Sequence, residues 1–178
     1  MQRKKKQDFM STPKNKVIIM IEKTFVLVKP DGVARGLVGE VLKRIENSGM
    51  KIAALKMVWV KKEFAEQHYK AHKGKEFFDP TVKFITEGPV VAMVVEGVHA
   101  IQNIRRLVGP TSPNEAAPGT IRGDYAHISM KYASSINSGG KNLIHASDSI
   151  EVAKQEIALW FKPEEIHSYR TVHQEHTL

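Results

Sequence analysis

The residue best placed for chemistry is a histidine. In Asn142-Leu143-Ile144-His145-Ala146-Ser147-Asp148-Ser149 it stands just before a helix whose start is marked by Asp148 and, three residues on, Glu151. Such a helix start favours anions. A neutral imidazole can attack phosphorus if a carboxylate holds its other ring nitrogen, because this fixes the tautomer and stabilises the positive charge that develops. Glu156, two turns along that helix, is the candidate carboxylate. Three cations occupy places a phosphate could use: Lys29 at a strand end, Arg105 on a helix beside Gly109-Pro110-Thr111, and Arg122 in Gly119-Thr120-Ile121-Arg122-Gly123-Asp124. Arginine forks match phosphate oxygens in pairs, lysine supplies a compact charge, and Thr111 can add a hydroxyl. Singly each would be a solvated surface residue; the chemistry requires that they converge.

Other nucleophiles and phosphate devices are excluded or weak. The chain has no cysteine, so disulfides, thiolate zinc sites and cysteine nucleophiles are ruled out. Gly139-Gly140-Lys141-Asn142 lacks the first glycine and the hydroxyl residue of a P-loop. Of the eight histidines the remaining seven read as bland. His68 and His72 share one partly exposed helix face without a third metal ligand nearby in sequence, and His173 and His176 fall in a polar, solvated tail.

The elements that must position these groups follow from periodicity. Thr24 to Val28 reads as a buried strand that stops at the turn Lys29-Pro30-Asp31-Gly32. Val38, Val41, Leu42 and Ile45 form a helix face closed by Gly49, and a strand follows over roughly Lys51 to Val60. Glu63 to Lys73 and Thr81 to Thr86 read as short helices, the second capped by Asp79-Pro80. Val90 to Glu96 is another buried strand, Ala100 to Val108 a helix, and Gly109 to Asp124 a long ordered loop. A strand near His127 to Lys131, a Ser/Gly-rich insertion over Ala133 to Gly140 and a helix from about Ser149 to Phe161 complete the body. This order suits an antiparallel or mixed sheet with helices packed on one face, a ferredoxin-like sheet being one candidate.

A length of 178 residues fits one compact domain. We divide it into a basic, flexible N-terminal extension over residues 1–21, a domain over 22–170 with an insertion at about 126–141, and a tail over 171–178. The longest apolar run, Val90 to Val95, is too short to cross a bilayer, so the expectation is a cytoplasmic protein with no membrane partner. The net charge of +8 could suggest a nucleic acid partner, but residues 1–23 carry +5 of it and the body is nearly balanced. The rival reading is therefore a non-catalytic nucleic-acid-binding module that uses the basic arm.

Several linked segments resemble the nucleoside diphosphate kinase family: Thr24 to Gly32 with its Lys-Pro-Asp-Gly, Arg35 to Glu40, Gly88 to Met93, Pro118 to Asp124, Asn142 to Ser149, and Trp160-Phe161 with Pro163-Glu164-Glu165. The similarity runs from about Glu22 to Tyr169, and His-x-Ser-Asp-Ser is its sharpest part. The resemblance implies a ferredoxin-like α+β fold with an antiparallel sheet, and ping-pong transfer of the γ-phosphate of a nucleoside triphosphate such as ATP to a nucleoside diphosphate. It implies little base preference, Mg2+ carried on the nucleotide, and a homo-hexamer or homo-tetramer. By position it makes His145 the phosphate carrier, Glu156 its orienting carboxylate and Ser147 the hydroxyl supporting that carboxylate. It assigns Lys29 and Tyr69 to the transferring phosphate, Arg105, Thr111 and Arg122 to the rest of the phosphate chain, Phe77 to the base, Asn142 with Lys29 to the sugar hydroxyl, and Asp148 to magnesium through water. Departures are Ala146 where glycine is frequent, Pro110 where an acidic residue is often seen, a longer segment between Asp124 and Asn142, and a C-terminal sequence unlike that of many hexamers.

Overall fold

The computed structural model describes residues 21–177, so the basic arm inferred for residues 1–21 lies almost wholly outside the described residues. Its centre is a four-stranded antiparallel sheet of order β2-β3-β1-β4, formed by β1 (Ile21–Val28), β2 (Lys51–Val58), β3 (Val90–Val98) and β4 (Ile144–Ala146). This is the ferredoxin-like α+β sheet. Among the described residues no helix is long and apolar enough to cross a membrane.

Successive residues of β1 point to opposite faces, and both faces are covered. Phe25 and Leu27 join Ala92, Val94, Val82, Ile85 and Trp160 in one core, whereas Val26 and Val28 join Met93, Val95, Val41, Ile45 and Ile104 in the other. The helices therefore cover both faces rather than one. The run Val90 to Val95, 3% exposed or less throughout, already signals this, since a strand buried on both sides is continuously apolar. One layer is α2 (Val38–Asn47) and α5 (Ala100–Val108); the other comprises α3 (Lys62–His68), α4 (Phe78–Ile85) and α8 (Ile150–Trp160).

Four local expectations are corrected. Lys29-Pro30-Asp31-Gly32 is not a simple turn but the entry to α1 (Pro30–Ala34), with proline at the first helical position, where its missing N–H costs nothing. The long loop after α5 contains a 3-10 turn at Pro113–Glu115 and the short helix α6 (Ile121–Tyr125). The strand expected at His127 to Lys131 does not form. Ser129 instead caps α7 (Met130–Ser135), accepting a hydrogen bond from the Tyr132 amide, and Ala133 is buried at 2% exposure. The last helix is capped by Ser149, whose Oγ accepts from Val152 N at 3.2 Å, rather than by Asp148. The short helix α9 (Gln174–Thr177) closes the described chain.

Gly123 illustrates how tightly the loop is folded. Its amide donates to the capping Thr120 Oγ1 at 3.0 Å, and a Cβ there would strike the Ala117 carbonyl group, whose carbon would lie 2.7 Å away. Replacing Gly123 with alanine should cost about 1–3 kcal/mol, because backbone must move to make room. We expect a lower urea midpoint with unchanged slope; an unaltered midpoint would contradict this close approach.

Candidate active site

The register of the sheet sets the site. Leu27 pairs with His145 and Val28 with Ile144, so β4 carries the histidine to the end of β1 where Lys29 begins. Backbone bonds tighten this junction: Lys29 N donates to Leu143 O at 2.8 Å, and Leu143 N donates to Asp31 Oδ2 at 3.0 Å. Leu143 is held at φ +71°, a conformation non-glycine residues rarely adopt, and the Asp31 bond pins it there. Sequence reading gave Asp31 no role. The signal available was the proline before it, which fixes Asp31 in the first turn of α1.

At the centre, His145 Nε2 and Glu156 Oε1 are 2.7 Å apart. Glu156 Oε2 accepts from Ser147 Oγ at 2.6 Å, and that hydroxyl accepts in turn from the Phe25 backbone amide at 3.3 Å. Burial pushes the Glu156 carboxyl upward, but the hydrogen bond and charge of His145, with the Ser147 hydroxyl, hold it below the usual carboxylate range. An ionised Glu156 places the proton on Nε2 of His145 and leaves the lone pair on Nδ1. The His145 side chain is 25% exposed, so that lone pair is reachable.

A cavity of about 800 Å3 lies over this ring, lined by Lys29, Tyr69, Phe77, Arg105, Thr111, Arg122, Asn142, Asp148 and Glu156 as well as His145. All the residues singled out from sequence thus converge here except Ser147, which stands behind Glu156. Lys29 Nζ donates to Asn142 Oδ1 at 2.7 Å, and Asn142 Nδ2 donates to Thr111 O at 2.8 Å. Arg122 is 4% exposed and donates to the carbonyls of Gly109, Pro110, Asn142 and Ile144, so four of its five N–H groups brace the wall and one remains for a ligand. Burial, then the neighbouring Arg105, lowers the Arg122 pKa to about 10, still cationic at neutral pH. Phe77 presents an exposed ring, and the Tyr69 hydroxyl is buried with no hydrogen-bond partner among the described residues.

The reading of His68 is corrected. Its side chain is 1% exposed, not on a partly exposed face, because Trp160 Nε1 donates to His68 Nδ1 at 3.2 Å from 92 residues away. It packs edge-on to the His145 ring at 5.1 Å between centroids. Burial first, then the His145 charge, lowers its pKa to about 3, so it stays neutral. His68, His145 and Glu156 each bring a ligand atom within 4.8 Å of the others, a spacing a metal could use, but His145 and Glu156 are already bonded to each other.

The family model of nucleoside diphosphate kinase matches residues 22–166. The chain belongs to the nucleoside diphosphate kinase family. It is 51% identical over 149 residues to the nucleoside diphosphate kinase of Pyrococcus furiosus, covering 84% of this chain and 88% of that one. It is 55% identical to that of Archaeoglobus fulgidus, covering 82% and 90%. Among solved structures it is similar to a nucleoside diphosphate kinase of Borrelia burgdorferi with bound vanadate and ADP, a transition-state mimic (TM-score 0.85, 40% identity, 88% and 96% covered). It is also similar to a halophilic one of Halobacterium salinarum in complex with CDP (TM-score 0.79, 43% identity, 88% and 97% covered). This chain is accordingly a phosphotransferase acting on nucleotides.

For such an enzyme the state of Lys29 matters. Burial, reinforced by Arg122 and opposed by Asp31, lowers its pKa to about 8. Phosphate oxygens favour the charged amine. Binding of an ATP analogue that cannot transfer its γ-phosphate should therefore take up close to one proton at about pH 9, and at about pH 6.5 Lys29 should take up none. Titration calorimetry in two buffers of different ionisation heat reads this directly. Lys29→Arg should abolish the uptake at high pH; uptake that persists in this variant would assign the proton elsewhere.

Proposed function

We propose that this enzyme moves the terminal phosphate of a nucleoside triphosphate, ATP for example, to a nucleoside diphosphate by a ping-pong relay on His145. The observation that carries the reading is the Glu156 contact with Nε2, which leaves the opposite nitrogen of the ring to a cation-lined cavity. In the first half-reaction Nδ1 attacks the γ-phosphorus, the Nδ1–P bond forms, the P–O bond to the β-phosphate breaks, and the nucleoside diphosphate leaves. The second half-reaction is the reverse with a different diphosphate. Glu156 remains ionised and offsets the positive charge gained by the ring. Lys29 and the unpartnered Tyr69 hydroxyl serve the transferring phosphoryl oxygens, while Arg105, Thr111 and the free N–H of Arg122 hold the α- and β-phosphates. Phe77 stacks on the base, and Asn142 with Lys29 meets the sugar hydroxyl.

Enzymes of this family need a divalent cation. We assign Mg2+ carried by the nucleotide, which neutralises phosphate charge when bound. Asp148 fits the role of reaching it through water, since its carboxylate is exposed, lines the cavity and has no hydrogen bond or ion pair among the described residues. We place the enzyme in the cytoplasm.

With ATP labelled on its terminal phosphate, the protein should acquire an acid-labile, alkali-stable label at His145 that GDP discharges as labelled GTP. His145→Ala should abolish exchange in a folded protein. Glu156→Gln should slow it roughly a hundredfold, since the charge is lost while the nucleophile stays. Substantial exchange by the alanine variant would sink the relay.

We also infer a homo-oligomer, hexameric or tetrameric. Support comes from β2, an edge strand that exposes its own Leu55 and Met57 and, just beyond its end, Trp59, at 49%, 59% and 66%. An apolar edge strand pairs with another chain unless it is blocked. Light scattering on the eluted protein should give the mass of six or four chains, and Leu55→Lys with Trp59→Lys should reduce it. A monomeric wild type would refute the inference.

A further inference from the structure

The insertion between Asp124 and Asn142 builds a wall. Met130 N, at the start of α7, donates to Ser112 Oγ at 3.0 Å, and Asn114 N donates to Ile128 O at 3.3 Å, which ties its first half to the loop after α5. Its second half is seated on α4. Gly139, at φ +70°, lies so close that a Cβ would collide with the Pro80 carbonyl and approach Phe84 Cβ to 2.6 Å. Only glycine satisfies both demands. The segment between these anchors therefore has a built position.

That wall encloses a second cavity of about 420 Å3, adjoining the first. Lys29, Tyr69, Phe77, Thr111 and Asn142 line both; His145 and Arg105 line only the first, and Met130, Ala133, Ser134 and Asn137 only the second. The two cavities thus meet at Phe77 and Asn142, assigned to the base and the sugar, and at the phosphate-side residues Lys29, Tyr69 and Thr111, while the insertion lies on the side away from His145 and Arg105. Ser134 and Asn137 are exposed, and neither side chain has a hydrogen-bond partner among the described residues. A stacking ring accepts any base, whereas hydroxyl and amide groups at a base edge distinguish one pattern of donors and acceptors from another.

We propose that the inserted segment reads the outer edge of the base through Ser134 and Asn137 and gives this enzyme a preference for purine over pyrimidine nucleotides. This rests on the reading that the first cavity holds the nucleotide with its phosphates toward His145. A purine extends further from the sugar, so its hydrogen-bonding edge reaches the insertion, while a pyrimidine falls short of it. The stack on Phe77 remains common to both.

The test compares kcat/KM for GDP and ADP with that for CDP and UDP, using ATP as donor. Each hydrogen bond to the base should contribute about three- to tenfold, so the wild type should favour purines by roughly tenfold or more. Ser134→Ala combined with Asn137→Gly should bring the ratio to within about twofold of unity. Glycine is the right replacement because Asn137 sits at φ +52°, where alanine would add strain. Should the double variant unfold, Ser134→Ala alone, on a helix that tolerates alanine, should lower the ratio about threefold. A wild-type ratio near one, or a ratio that the variants leave unchanged while exchange proceeds, overturns the inference and leaves the relay standing. Absence of a discharged phosphohistidine in the wild type removes the relay and this inference together.

Discussion

Glu156 is a charged group in a place where charge is expensive, and much of the molecule is arranged around that fact. An ionised carboxylate at 9% exposure is tolerated only when its oxygens are paired. One oxygen takes the His145 ring and the other the Ser147 hydroxyl, which is itself engaged by the Phe25 amide of β1. A helix, a three-residue strand and the central strand are thereby locked at one point. β4 is too short to hold its place by ladder bonds alone, and the carboxylate network supplies what the ladder lacks. The arrangement that stabilises the buried charge is also the one that presents Nδ1 to the cavity.

The opposite wall holds the complementary device. Lys29 and Arg122 are buried cations with Asp31 as the anion acting on both, and burial, reinforced by a neighbouring arginine, has already shifted each toward neutrality. Such a site is short of negative charge until a polyphosphate enters. Arg122 shows how little of this is free to move: its bonds to Gly109, Pro110, Asn142 and Ile144 join the loop after α5 to the strand that bears His145. A guanidinium reads here as a brace first and a ligand second, a balance that the motif Gly119 to Asp124 does not reveal.

What the sequence discloses follows from the range of the interactions involved. The helix faces of α2 and α5 and the buried run of β3 depend on local periodicity and are legible. The segment His127 to Lys131 alternates apolar and polar residues and reads as a strand, yet the Ser129 cap and the burial of Ala133 make the next turn helical. β4 escapes notice because three residues carry no period, and its partner β1 lies more than a hundred residues earlier. His68 is misread for the same reason: Trp160, which buries and orients it, is remote in sequence. The site residues were legible mainly through linked motifs of the family, since spacing alone marked the three cations and the histidine without showing that they meet.

The burial of His68 bears on chemistry. Its ring centre is 5.1 Å from that of His145, the ring that would become positive on carrying a phosphoryl group in the proposed relay. Two unit charges about 5 Å apart repel by about 3 kcal/mol at an effective dielectric constant of about 20, which corresponds to roughly two decades in rate if it fell wholly on the barrier. A solvated histidine would titrate near neutrality and impose part of that penalty whenever it was protonated. Burial against Phe25 and Trp160 holds the His68 pKa at about 3 and removes the proton throughout the neutral range. A second imidazole can then support the reacting one by packing, without competing with it for the charge of Glu156.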